Sequence, residues 1–456
     1  MTTDHSLIEK YNVPCPRYTS YPTVPYWDES FFGLEAWKGS LHRSFTANNA
    51  NGGVSLYIHL PFCESMCTFC GCFKRITKNH SVESTYIAAL LKEWHLYCRL
   101  FDGKPLIKEL HLGGGTPTFF SPGNLEHLIN GIFALGDRDA YCDMSFEGHP
   151  NSTTKEHLQT LYDLGFRRVS FGVQDYNEKV QTAINRIQPF EHVANVTRWA
   201  REIGYTSVGH DLIYGLPMQA REHVIDTMQK TYTLRPDRIA FYSYAHVPWL
   251  KGNGQRGFRD EDIPRDAEKR ELYETGKAML LENGYHEIGM DHFALENDEL
   301  YQALHNGSLH RNFMGYTISK TQMTIGLGVS SISDSWYGFA QNTKDFDDYY
   351  QMLEWDALPV VKGHILSHED LIIRTHIGNL MCRFYTSWEN PELYIEALDD
   401  AVEDLREMVA DGLVEIGEKS IKITEKGIPF LRNACMALDL RLKPSKPDAQ
   451  TFSLTI

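Results

Sequence analysis

At 456 residues the chain is longer than one barrel requires, and with 42% hydrophobic residues it can bury a full core, so a large domain with a smaller C-terminal one is expected. A formal net charge of −16, from 60 acidic against 44 basic residues, excludes a general nucleic-acid-binding surface and makes any basic group that meets an anionic ligand a local feature. The segment Met1 to Lys10 lacks the apolar stretch of a signal peptide, and no apolar run approaches the roughly 18 residues that span a bilayer, so a cytoplasmic chain with no membrane partner is expected.

Residues 1–50 read as an N-terminal arm and helix. The stretch Tyr11-Asn12-Val13-Pro14-Cys15-Pro16-Arg17-Tyr18-Thr19-Ser20-Tyr21-Pro22 carries too much proline for a helix and should run extended over other structure. Such an arm can simply pack, or Arg17 among its tyrosines can close on a carboxylate. Leu56 to Phe62 is apolar, β-branched and aromatic, as a short buried strand should be, and Pro61 ends it. Cys63, Cys67, Cys70 and Cys72 then lie on a loop leaving the strand's C-terminal end. Three thiolates at C-x3-C-x2-C can occupy three irons of a [4Fe-4S] cubane and leave the fourth open to a ligand, since soft sulfur favours iron-sulfur over hard-cation sites. A structural zinc site closed by Cys72 has the right ligand number, but such sites pair two knuckles distant in sequence, whereas these four share one loop. Nothing points to export, which disfavours disulfides, and Cys15, Cys98, Cys142, Cys382 and Cys435 read as small apolar residues.

From residue 56 to about 245, short apolar runs alternate with amphipathic helices. Strands are expected at Leu56 to Phe62, Glu109 to Gly113, Met144 to Glu147, Arg168 to Gln174, Val208 to Tyr214 and Arg238 to Tyr244. Between them Ile87, Leu90, Leu91 and Trp94 share one helical face; Leu125, Leu128, Ile129 and Ile132 share another behind a Ser121-Pro122 start, and Val193, Val196 and Ala200 a third. Repeated strand, loop and helix argue for an α/β fold with a parallel sheet, here a partial (β/α)6 barrel within a domain of residues 51–360. Functional residues should cluster at the C-terminal ends of the strands, where Gly113-Gly114-Gly115-Thr116-Pro117, Glu147, Gln174 and Asp211 fall. Consecutive glycines let backbone approach a ligand closely, and the phosphate-loop pattern Gly-x4-Gly-Lys-Ser/Thr is missing.

Residues 250 to 286 read as a charged connection and a helix. They lead to polar clusters at Gly289-Met290-Asp291-His292-Phe293-Ala294 and Leu309-His310-Arg311-Asn312-Phe313-Met314, then to a glycine-rich apolar turn at 325–333. Residues 361–456 should form a mostly helical, winged-helix-like C-terminal domain, with a strand pair at Val414 to Ile416 and Ile421 to Ile423 that caps the barrel rather than binding DNA.

The pattern C-x3-C-x-aromatic-C, with Phe69 before the third cysteine, resembles the signature of the radical S-adenosylmethionine (SAM) superfamily. The resemblance implies that the amino and carboxylate groups of SAM chelate the open iron and that a cluster electron releases a 5′-deoxyadenosyl radical. The 113–117 turn is similar to the superfamily's motif for the SAM amino group. Over nearly the whole chain the likeness extends to the oxygen-independent coproporphyrinogen III oxidases of haem biosynthesis. It is carried by the 11–22 arm, the loop with Gly71-Cys72, Phe171 to Asp175, Asp211 to Pro217, Tyr244-Ala245-His246 and both polar clusters.

This resemblance implies an oxidoreductase that converts the ring A and B propionates of coproporphyrinogen III into the vinyls of protoporphyrinogen IX. Cys63, Cys67 and Cys70 would ligate the cluster, with Cys72 outside the ligand set. Tyr57, Gly114, Glu147 and Ile332 would contact one SAM, and Phe69, Gly115, Thr116, Gln174, Arg186, Asp211 and Ala245 a second. Arg17 and Arg311 are candidates for the substrate carboxylates. The implied enzyme is a monomer with an unidentified electron donor and acceptor and no nucleic-acid partner. A haem-transfer chaperone of the same superfamily, another tetrapyrrole-modifying radical enzyme and a zinc protein are the rival readings.

Overall fold

A computed structural model describes residues 5–247, 255, 257–443 and 452. The six expected runs form strands β1 (Val54–Leu60), β2 (Leu106–Gly114), β3 (Asp137–Gly148), β4 (Arg168–Gln174), β5 (Ser207–Tyr214) and β6 (Arg238–Ser243). Pro61 stops β1 at Leu60, and Phe62–Cys63 pairs separately with Arg75–Ile76, so the cluster loop is closed at its base by a short parallel ladder. Helices cover the outer face. Val82–Cys98 buries Ile87, Leu90 and Trp94, and Pro122–Leu135 buries Leu125, Leu128, Ile129 and Ile132 behind a Ser121 cap.

Beyond β6 lie β7 (Tyr285–Gly289), β8 (His292–Leu295), a hairpin of β9 (His310–Asn312) and β10 (Gly315–Thr317), then β11 (Met323–Leu327), β12 (Ile332–Asp334), β13 (Gly338–Asn342) and β14 (Val360–Ile365). One twelve-stranded sheet runs in the order β14-β13-β12-β11-β1-β2-β3-β4-β5-β6-β8-β7. It is parallel from β11 through β1 to β6 and antiparallel at both flanks. β6 and β11 do not pair, so the barrel is partial and open on one side.

Strand alternation sorts the two faces of this sheet. Leu56, Ile58, Leu60, Leu110, Leu112, Met144, Phe146 and Val208 point outward into the main apolar core beneath the helices. Glu109, His111, Ser145, Glu147, Arg168, Ser170, Asp211, Arg238 and Tyr242 line an inner cavity of about 150 Å³. Its lower charges are paired: Arg168 grips Asp143 through two nitrogens, and Arg238 Nε donates to Asp298 at 2.8 Å. The β9–β10 hairpin reaches this interior from the open side. Asn312 and Thr317 donate to the Glu109 carboxylate at 3.4 and 2.8 Å, and Ser55 donates to it from β1 at 2.6 Å.

The expected unit of residues 1–50 does not pack as one body. Leu7, Tyr11, Cys15, Tyr18 and Tyr21 share a core with the C-terminal helices, whereas Trp37, Leu41 and Phe45 of helix Leu34–Asn48 belong to the barrel core. The 360/361 boundary likewise falls inside β14, which extends the barrel sheet. In the C-terminal region Val414–Gly417 and Ser420–Ile423 form the expected antiparallel pair, with Tyr385–Ser387 added as a third strand. Of the connection expected from residue 250, positions 248–254 and 256 lie outside the described residues; helix Asp266–Glu282 follows it.

Candidate active site

At the C-terminal ends of the barrel strands a cavity of about 810 Å³ brings together Cys63, Cys67, Cys70, Phe69, Gly114, Gly115, Thr116, Glu147, Gln174, Arg186 and Asp211. Eleven of the residues singled out from sequence thus share one wall-to-wall space. Every cysteine is free, so the thiols are available as ligands. Among the described residues no group of three or more His, Cys, Asp or Glu is placed to hold a single metal ion. Three loop thiols around a common space suit a multi-iron cluster, whose metals stand apart from one another, better than a mononuclear zinc.

The loop is held in place by local polar contacts. Arg186 Nη1 donates to Cys67 Sγ at 3.6 Å and Nη2 to the Gly172 carbonyl at 2.5 Å. The Thr116 hydroxyl lies 3.3 Å from Cys63 Sγ, and Lys74 donates to the Cys70 and Cys72 carbonyls. Burial pushes the Cys63 thiol up to about 11. The Cys72 thiol hydrogen-bonds the Cys70 sulfur, which keeps Cys70 below and Cys72 above the ordinary thiol range.

The glycine turn is required by close backbone approach. Gly114 has φ +113°, and a Cβ there would sit 2.6 Å from the His59 ring; at Gly115 it would lie 2.6 Å from the Pro61 carbonyl carbon. Gly115 and Thr116 amides donate to the Leu60 and Phe62 carbonyls, so β2 ends pressed beneath the root of the cluster loop. His59 completes the joint: its Nε2 donates to the Phe73 carbonyl at 3.1 Å while Nδ1 accepts from the Tyr57 hydroxyl at 3.0 Å. Burial lowers His59 to about 4, so the ring is neutral and this tautomer is self-consistent.

Two carboxylates face both cavities. Burial alone would raise Glu147, but His111 and the Gly114 amide outweigh it and hold the carboxyl below its ordinary range. Burial and the Glu147 charge push Asp211 up to about 7, against a 2.9 Å hydrogen bond from Ser170. The Arg186 Nε is buried without a partner in the same space. A cation-holding carboxylate, an orphan guanidinium donor and a glycine-walled floor fit a zwitterionic nucleotide such as SAM.

Tyr57, Ile332 and Ala245 lie outside this lining. Tyr57 reaches Glu147 and His111 around Gly113, Ile332 opens β12 beside β11, and Gln255 ties the Ala245 carbonyl to that of Phe69. Arg17 and Arg311 sit on the arm and the β9–β10 hairpin; Arg17 is engaged by Asp291 rather than standing free. His111 and His149 are added to the site by the structure; in the sequence Gly148-His149 stands out as following Glu147 where the resemblance leads one to expect an apolar residue and an aspartate. His111 is marked only by the inward alternation Glu109, His111, Gly113, and His149 by its step of two from Glu147. Burial and the Arg186 charge lower His149 to about 2, leaving it a neutral wall of the cavity.

A thiol-lined loop at the mouth of a partial parallel barrel defines the class, and the Radical SAM superfamily model matches residues 57–231. This superfamily works with a [4Fe-4S] cluster and SAM. The chain is 39% identical over 450 residues to an oxygen-independent coproporphyrinogen III oxidase of Helicobacter pylori (strain ATCC 700392 / 26695), covering 97% of each chain. It is 38% identical over 458 residues to the enzyme of that name from Escherichia coli (strain K12), covering 99% of this chain and 98% of the other. The solved structure of coproporphyrinogen III oxidase from Escherichia coli, described as a radical SAM enzyme, superposes with a TM-score of 0.89 at 36% identity, covering 96% of this chain and all of that one. The chain belongs to the oxygen-independent coproporphyrinogen III oxidase family.

Proposed function

We propose that this chain carries out the oxidative decarboxylation of coproporphyrinogen III to protoporphyrinogen IX. The observation that carries the reading is the meeting of three free thiols, a glycine floor and two differently ionised carboxylates in one cavity of a chain alike to these oxidases from end to end. When bound, the cluster and SAM supply a 5′-deoxyadenosyl radical able to take hydrogen from an unactivated propionate carbon, which side-chain acid-base chemistry cannot do.

The chain's own residues hold, orient and shield. In this reading Cys63, Cys67 and Cys70 hold the cluster. Tyr57, Gly114, Glu147 and Ile332 take one SAM, and Phe69, Gly115, Thr116, Gln174, Arg186, Asp211 and Ala245 a second. Glu147, ionised at neutral pH, pairs with a cationic group; Arg186 offers its free Nε to an anionic one. Asp211, near half-protonated at neutral pH, can accept or share a proton beside them. Phe69 packs toward Ile184, Ile213 and Tyr244 and helps keep water from the loop. The enzyme works as a monomer in a reducing cytoplasm, fed by an electron donor and drained by an acceptor still to be identified. Among the described residues no helix is long and apolar enough to cross a membrane.

Anaerobic incubation of reconstituted protein with coproporphyrinogen III, SAM and a reductant tests the proposal. Carbon dioxide and protoporphyrinogen IX should appear together, and Cys67→Ala should abolish both. Tight haem binding without carbon dioxide release would instead make the chain a haem-transfer chaperone.

A further inference from the structure

Across the β9–β10 ladder Arg311 pairs with Tyr316, on the face opposite Asn312 and Thr317, which turn to Glu109. The Arg311 guanidinium lies 4.5 Å from the Tyr316 ring centre, and its Nε and Nη1 are buried with no hydrogen-bond partner. The His292 ring meets the same tyrosine edge-on at 5.3 Å, and its Nδ1 is also buried and unpartnered. Its Nε2 lies 3.4 Å from the Tyr242 hydroxyl. Burial, then the Arg311 charge, lower His292 to about 3, so the ring is neutral; with Tyr242 donating to Nε2, Nδ1 carries the proton.

We infer that Arg311 and His292 form a carboxylate-binding site on the open side of the barrel, and that it holds a propionate of the tetrapyrrole other than the one being decarboxylated. This rests on the substrate reading above. Three buried donors with no acceptor are costly in a folded interior and call for a partner supplied from outside the chain. A carboxylate is acceptor-only, bears one charge and offers two oxygens, so it can take one unpartnered Arg311 N–H and the His292 Nδ1–H together. Arg17 does not share the role, since Asp291 already neutralises it and Tyr242 lies beneath it at 5.9 Å. The position is apt for a second anchor. The inner cavity shares Glu147 and Asp211 with the cluster-loop cavity, and its remaining wall includes Tyr242, His292, Met314 and Tyr316, next to Arg311.

Equilibrium dialysis of coproporphyrinogen III against the reconstituted protein, anaerobically and without reductant, tests the site. Arg311→Met should weaken binding by on the order of 30-fold and His292→Phe by about fivefold. Ligand-free Arg311→Met should melt no lower than the wild type, because it deletes an unpaired buried charge; an arginine that only braces the fold predicts a lower melting point with unchanged affinity. Wild type that binds the porphyrinogen and Arg311→Met that binds it equally overturn the site alone. Wild type with no affinity for coproporphyrinogen III overturns the substrate reading and takes the site with it.

Discussion

Glu93, on the helix that follows the cluster loop, is fully buried and accepts hydrogen bonds from the Gly328 amide at 2.8 Å, Asn342 Nδ2 at 2.6 Å and the Tyr349 hydroxyl at 2.6 Å. Burial nonetheless lifts its carboxyl from 4.5 to about 7. The folded chain therefore holds this proton more tightly than the unfolded one. The group's contribution to stability is complete below about pH 4.5 and is lost as pH rises through 7. Between those limits the wild type should lose on the order of 3 kcal/mol relative to Glu93→Gln, since one pKa unit corresponds to about 1.4 kcal/mol. Urea denaturation of both proteins across that range checks this; a stability gap that stays constant with pH refutes it. At Gly115 the issue is steric. The Cβ of Gly115→Ala would meet the Pro61 backbone, which cannot swing aside like a side chain, so a cost of about 2 kcal/mol and a displaced loop should follow. Iron content after reconstitution should fall with it, and a fully loaded Gly115→Ala protein would contradict the role given to that contact.

Among the elements, the barrel strands and their covering helices were legible because each rule behind them is local. Alternation places Leu110 and Leu112 outside and Glu109 and His111 inside, proline ends β1, and serine with proline starts Pro122–Leu135. The cysteine loop was legible for the same reason, Cys63, Cys67 and Cys70 lying within eight residues of one another. The β9–β10 hairpin is legible as a polar cluster that carries Arg311, but what seats it is not. Its anchor is Glu109, 203 positions from Asn312 and 208 from Thr317, and no short pattern joins them. The carboxylate that Arg17 closes on was not legible for the same reason, since Asp291 lies 274 residues away. Glu109→Ala would strand Ser55, Asn312 and Thr317 without their acceptor, a loss of about 3 kcal/mol if the donors stay buried. Amide hydrogen exchange should then quicken at 310–317 while β1 to β5 keep their protection. Unchanged exchange in the hairpin would mean that the contacts of Tyr316 with His292 and the Met381 carbonyl, not the carboxylate, seat it.

In the molecule as a whole, the N-terminal arm is a strap. Leu7, Tyr11, Cys15, Tyr18 and Tyr21 are buried with Ile377, Leu380, Leu405, Leu431 and Cys435, while Arg17 between them reaches Asp291 at the barrel's edge. Tyr11 donates to Asp411 at 2.6 Å and Tyr18 to Asp439 at 3.1 Å, so apolar burial and hydrogen bonding fasten the same segment. The C-terminal helices, with Ile288 and Ala294 of β7 and β8, owe part of their core to the opposite end of the chain, whereas among the described residues none of 7–21 lies in the core beneath β1 to β5. Tyr11→Ala should cost about 3–5 kcal/mol, and the loss should fall on the C-terminal helices rather than on β1 to β6. Cluster loading, which depends on the loop and β2, should then survive, while porphyrinogen turnover falls because the Met381 carbonyl that holds the Tyr316 wall of the inner cavity shifts with the C-terminal helices. Hydrogen exchange, iron content and turnover measured on one preparation separate these effects. If Tyr11→Ala leaves C-terminal exchange as slow as in the wild type, the arm covers that domain without holding it.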